Sequence, residues 1–182
     1  SDGDIQMEWG DPASGSGRSG YEFQLSNTPI VLDAAFNLGT FTHNNFPIFS
    51  GSGTLDTTDL VVTFDIVIDG VVTPVDVVIN IDHNETPNSG ANPDDIITIT
   101  NFSASIAGTG GTQQTITIGD RTYILEIDGF RDGNGDPVNQ VFTAEEAANS
   151  FTLQARLLST DDLSQAAAIV SGAVFGADGS DD

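Results

Sequence analysis

The chain has 182 residues, long enough for one sizeable core, and carries 27 acidic residues against four basic ones, a formal net charge of −23. That charge argues against nucleic acid and against anionic membranes as partners, because both need basic patches. It has no cysteine, which excludes a disulfide framework and a thiolate metal site, and no apolar run approaches the roughly 20 residues of a membrane span.

Taken in order, Ile5 to Trp9 alternates apolar and polar residues as a short strand before a Gly/Ser-rich loop from Gly10 to Gly20. Tyr21 to Leu25 alternates cleanly, so one face is buried and the other wet. Pro29 leads into a β-like run at Ile30-Val31-Leu32, and Phe36 to Phe49 is aromatic and Asn-rich. Leu60 to Ile68 and Val71 to Ile81 are the strongest strands, with Asp69-Gly70 as the hairpin turn between them. Further strands are expected at Ile96 to Ile106, Gln113 to Ile118, Thr122 to Ile127 and Ser150 to Leu158. Thr143-Ala-Glu-Glu has a capping-box spacing and predicts one helical turn. Asp161 to Val170, with its alanine run, predicts a short C-terminal helix. Many short strands and little helix indicate an all-β antiparallel β-sandwich. We expect one domain over residues 1–182, a monomeric module from a longer chain with acidic linkers at both ends.

The chemistry is expected at acidic loops. From Asp128 to Val138, oxygens at Asp128, Asp132, Asn134 and Asp136 are spaced by glycines, and hard cations such as Ca²⁺ take six to eight oxygens at about 2.3–2.6 Å. The pattern departs from an EF-hand loop, with Pro137 and Thr143 where Gly and Glu belong. A metal-free hairpin turn is the plainer alternative. A second loop supplies Asp82, Glu85, Asp94 and Asp95 as metal ligands, with His83, Asn88 and Asn92 placed to touch a ligand; a solvated surface loop is its alternative. The expected cofactor is therefore Ca²⁺, at more than one site. Bound cations would also relieve the self-repulsion of the net charge. His43 is read structurally, hydrogen-bonding backbone beside Asn45 and Pro47, since two histidines far apart in sequence are a weak start for zinc. Trp9, Tyr21 and Tyr123 are equally sugar-stacking candidates and core residues. Phe36, Phe41, Phe46, Phe49 and Phe130 are expected as core or corner plugs. Catalysis has little support: no Gly-x-Ser-x-Gly elbow is present, and only His43 and His83 could act as bases.

Several short motifs occur in a specific order. They are Trp9-Gly10-Asp11-Pro12, Ser19-Gly20-Tyr21-x-Phe23 and Leu38-Gly39-Thr40-Phe41-Thr42-His43-x-Asn45-x-Pro47-Ile48, then Glu85-Thr86-Pro87-Asn88 and Asn92-Pro93-x-Asp95-Ile96, then Leu125 to Gly129 and Asn149-Ser150-Phe151-x-Leu153-x-Ala155-Arg156. Over residues 7–158 this resembles the bacterial THxN, or choice-of-anchor K, domain; residues 159–182 lie outside the resemblance. The resemblance implies an extracellular setting on a bacterial surface, in company with large RTX adhesins whose modules depend on calcium. The expected function is then a non-enzymatic, calcium-dependent adhesion module that binds exposed peptides on other cells, through a terminal carboxylate meeting a loop-held Ca²⁺. The alternatives are a lectin-like module binding sugar hydroxyls at the same ion, and a structural spacer rigidified by calcium.

Overall fold

The computed structural model describes residues 5–13, 15, 17–88, 93–106 and 114–160. They form two antiparallel sheets packed as a sandwich, and the strands are β1 (Ile5–Trp9), β2 (Ser19–Leu25), β3 (Ala35–Asn45), β4 (Thr57–Ile68), β5 (Val71–Asn84), β6 (Asp95–Ile106), β7 (Thr115–Ile118), β8 (Arg121–Arg131), β9 (Pro137–Val138), β10 (Gln140–Thr143) and β11 (Ala147–Ser159). The larger sheet runs β1-β2-β3-β11-β8-β7, with β9 paired to β8; the smaller runs β10-β6-β5-β4. The helix expected over Asp161 to Val170 lies outside the described residues.

Side-chain alternation makes the core. On β5, Val75, Val77, Ile79 and Ile81 are at most 2 % exposed, because every second residue of a strand faces the same way. They pack on Leu60, Val62 and Ile66 of β4 and Ile97 and Ile99 of β6. Phe23, Leu38, Phe41, Phe130, Leu153 and Leu157 of the larger sheet close the layer from the other side. The β4–β5 hairpin turns at Asp69 and Gly70, with φ of 51° and 80°, the two positive angles whose twist suits a two-residue hairpin.

Three expectations are corrected. Ile30-Val31-Leu32 is not a strand: it belongs to the β2–β3 connection, where Val31 is 60 % exposed and Asp33 takes a positive φ, so no partner strand covers it. Thr143 does not cap a helical turn. It ends β10, its hydroxyl is drawn to His43 and to the Asp95 carbonyl, and Glu146 has φ 56°, incompatible with a continuing helix. Phe49 is no plug, being 60 % exposed, whereas Phe36, Phe41 and Phe130 are core.

Candidate functional site

The same alternation that buries the valines also buries a polar cluster at one end of the sandwich. On β5 the inward series Ile79, Ile81 continues to His83; on β3, Phe41 continues to His43 and Asn45; on β6, Ile97 and Ile99 continue back to Asp95. His43, Asn45 and Asp95 have no exposure and His83 has 5 %. Tyr21 lies opposite His43 in the β2–β3 ladder, and Asp95 lies opposite Thr143 in the β10–β6 ladder. The larger sheet therefore contributes His43 and Tyr21, and the smaller contributes His83, Asp95 and Thr143.

The rings pack tightly across the gap. The imidazoles of His43 and His83 stand edge to face with centroids 5.1 Å apart, and Trp9 covers both, 5.6 Å from His43 and 5.2 Å from His83. The hydrogen bonds fix where protons sit. Thr143 Oγ1 donates to the Asp95 carbonyl at 3.3 Å, so toward His43 Nδ1, at 2.9 Å, it accepts. His43 thus carries its proton on Nδ1, and its Nε2 is a bare acceptor with no partner. Burial lowers His43 to a pKa of about 3, helped by His83, so the ring stays neutral. Tyr21 Oη meets His83 Nδ1 at 2.5 Å. Burial first, and then Asp95 and Glu85, raise the phenol's pKa, so Tyr21 keeps its proton and donates it. The His83 proton is left on Nε2, which points at Glu85 Oε2 at 3.3 Å and at Asp95 Oδ2 at 3.8 Å.

The carboxylates are held with equal care. Asp95 Oδ1 accepts the Thr86 backbone N–H at 2.7 Å, and Thr86 Oγ1 donates to the Pro93 carbonyl at 2.8 Å, which ties the two ends of the β5–β6 connection together. Burial raises Asp95 to about 6, the Thr86 bond opposes it, and Glu85 adds to it. Glu145 sits on the β10–β11 turn, which Asn149 pins by accepting from Ala144 N–H at 3.0 Å and donating to the Ala144 carbonyl at 3.0 Å. Its pKa rises to about 7 through burial and then through the charges of Asp95 and Glu85, with Asn45 pulling the other way. Glu85 Oε1, Asp95 Oδ2 and both Glu145 oxygens are buried without a hydrogen-bond donor. His43, His83 and Asp95 each bring one ligand atom within 4.8 Å of the other two, a spacing that can hold a metal ion.

The residues expected from sequence divide between this cluster and the surface. Asp95, Glu85 and His83 come together, though His83 is interior rather than a contact for an outside ligand. Asp82 and Asn88 are exposed, Asp94 is half-buried, and Asn92 lies outside the described residues. Asp128 is inside β8, where its carboxylate meets Arg131 at 3.1 Å and Arg156 at 2.9 Å. Asp132 caps its own turn: Oδ1 accepts the N–H groups of Asn134 and Asp136 at 2.8 and 2.9 Å, which holds its pKa below the ordinary carboxylate value. Asn134 and Asp136 are exposed. Two guanidiniums partner the Asp128 carboxylate, and the backbone of its own turn partners Asp132. Sequence reasoning missed His43 as a partner of His83, took Thr143 for a helix cap and Tyr21 for a sugar-stacking or core residue, and gave Glu145 no part in a site. Strand parity carried the signal, since His43 follows Phe41 by two residues and His83 follows Ile81 by two. No protein-family model and no curated protein matches the chain.

Proposed function

We propose that the chain is a non-enzymatic binding module of a bacterial surface or secreted protein, and that its ligand is an extended peptide bearing lysine or arginine, laid beside β4. One observation carries this reading. A groove of about 470 Å³ runs between the β2–β3 connection and β4, floored by Leu25, Ile30, Phe36, Phe64 and Val67 with Asp65 at its side. β4 is the outer strand of its sheet, and an outer strand offers backbone groups to which an extended chain can add. The volume suits apolar side chains of such a peptide, and a surface of net charge −23 favours cationic partners and repels anionic ones.

Support for a non-enzymatic role is that both imidazoles, the chain's natural bases near neutral pH, are shut inside the core. The sugar-binding alternative is weakened by the rings: Trp9, Tyr21 and Tyr123, the chain's whole complement of Trp and Tyr, are 9, 6 and 1 % exposed, so none presents a face to a pyranose. The extracellular bacterial setting rests on the resemblance of the ordered motifs to THxN-type domains.

The test is a screen of the labelled chain on peptide and glycan arrays, in Ca²⁺ and in EDTA. We expect salt-sensitive signal on basic extended peptides, lost in Val67→Arg, which sets a cation at an exposed groove position. Signal confined to a coherent glycan set would replace this reading with a lectin. EDTA-sensitive signal on peptides sharing a free C-terminus would place the ligand at a calcium ion instead. Silence on every array would leave a spacer.

A further inference from the structure

We infer that His43, His83 and Asp95 form a buried site for a transition-metal ion of the zinc class, with Glu85, beside His83, as the fourth ligand, and that this ion ties the two sheets together. The site is independent of the groove beside β4 and of any peptide bound there.

Four observations converge on it. The first is spacing: the three ligand atoms lie within 4.8 Å of one another, and His83 Nε2 is 3.3 Å from Glu85 Oε2 and 3.8 Å from Asp95 Oδ2. Tetrahedral ligands about 2.0–2.1 Å from zinc are about 3.3–3.4 Å apart, so the two His83 pairs are already near that spacing and the widest pair has to close by at most about 1.4 Å. The second is the orphaned acceptors. His43 Nε2 and Asp95 Oδ2 belong to residues with no exposure at all, and together with Glu85 Oε1 they have lone pairs and no donor. Buried polar atoms are nearly always paired, so several acceptors crowded together without donors call for a cation.

The third is that each ligand is already aimed from behind. His43 is held through Nδ1 by Thr143, His83 through Nδ1 by Tyr21, and Asp95 through Oδ1 by the Thr86 N–H. Outer hydrogen bonds of this kind fix the ring and leave the opposite atom for a metal. When the ion takes His83 Nε2, the ring's single proton moves from Nε2 to Nδ1, and Tyr21 Oη turns from donor to acceptor of that hydrogen bond. The fourth is the donor set. Two imidazole nitrogens with carboxylates suit zinc and its neighbours, whereas calcium wants a shell of oxygens. Because His43 belongs to one sheet and His83 and Asp95 to the other, the ion would do in this cysteine-free chain what a disulfide does elsewhere.

The experiment uses the full 182-residue chain, stripped with a chelator and titrated separately with Zn²⁺, Co²⁺ and Ca²⁺. We expect one Zn²⁺ per chain by elemental analysis after gel filtration and a higher melting temperature. With Co²⁺ we expect the visible absorption of a low-symmetry, nitrogen-ligated site. Asp95→Asn and His43→Gln should each weaken Zn²⁺ binding by more than the roughly 10–100-fold that loss of an outer partner costs, while Asp128→Asn changes nothing. If the buried-site variants fail to fold, ¹⁵N shifts of His43 and His83 in the parent chain decide, since both must move on adding one equivalent of Zn²⁺. Retention of less than a tenth of an equivalent of any of these ions with no shift in melting would overturn the site. So would Ca²⁺ binding without Zn²⁺, or Zn²⁺ bound undiminished by Asp95→Asn and His43→Gln together.

Discussion

Thr143→Val isolates the outer shell of the buried cluster, because it replaces a hydroxyl by a methyl at nearly constant volume. In the parent, Thr143 Oγ1 accepts from His43 Nδ1–H at 2.9 Å and donates to the Asp95 carbonyl at 3.3 Å. Valine can do neither. The second bond is long and its loss is minor, since that carbonyl keeps its second lone pair and its place in the strand. The first loss matters, because His43 has no exposure and water cannot replace the missing acceptor. Leaving a buried donor unsatisfied costs about 1–3 kcal/mol, and at this chain length each kcal/mol is worth about 2–4 °C, so melting in EDTA should fall by about 2–12 °C. Differential scanning calorimetry at pH 7.5 reads this directly. Thr42→Val is the control. Its hydroxyl pairs with Ser150 at 2.8 Å on the outer face, where loss of the bond should stay within about 0.5 kcal/mol. If Thr143→Val melts within about 1 °C of the parent, His43 does not depend on Thr143, and the proton assignment that leaves Nε2 bare is wrong.

Gly39→Ala should be severe, because an added Cβ would lie 2.3 Å from Phe23 Cζ and 2.5 Å from the Gln24 carbonyl oxygen. Phe23 is 2 % exposed and has nowhere to go, so we expect the upper end of the about 1–3 kcal/mol cost of overpacking, read by urea denaturation; a neutral result would refute the β2–β3 register. Free Zn²⁺ at 100 times its dissociation constant should add about 2.7 kcal/mol to stability, or about 5–11 °C of melting temperature, and Asp95→Asn should abolish the gain. For the metal-free chain, Asp95 and Glu145 are raised to about 6 and 7 on folding. The folded state binds those two protons more tightly than the unfolded state, so stability grows as pH falls through 7 and 6. His43, lowered to about 3, refuses the proton that unfolded histidine takes below about 6.5, which opposes the trend by one proton. Two against one, the melting temperature in EDTA should rise from pH 8 to pH 5; in Asp95→Asn/Glu145→Gln, where only the His43 effect remains, it should fall instead, and the zinc-loaded chain should also lose stability over this range as protons compete for its ligands. A metal-free melting temperature that falls steadily from pH 8 to pH 5 would refute the burial of the two acids.

The local pattern of the chain was enough for its fold class. Alternation at Tyr21 to Leu25, the Val- and Ile-rich runs on either side of Asp69-Gly70, and the absence of long helical periodicity give strands and a hairpin, because a strand's two faces are written into neighbouring residues. Parity along single strands also places His43 inside with Phe41 and His83 inside with Ile81. What no local pattern contains is which strands face each other. His43 and His83 are 40 positions apart in the chain, yet their rings are 5.1 Å apart, because β3 and β5 belong to opposing sheets. The acid-rich loops show the same divide: Asp128 is drawn to two arginines, one of them 28 residues away, and Asp132 to its own backbone. Composition set the number of carboxylates; only the closing of one sheet over the other decided which of them lost their water.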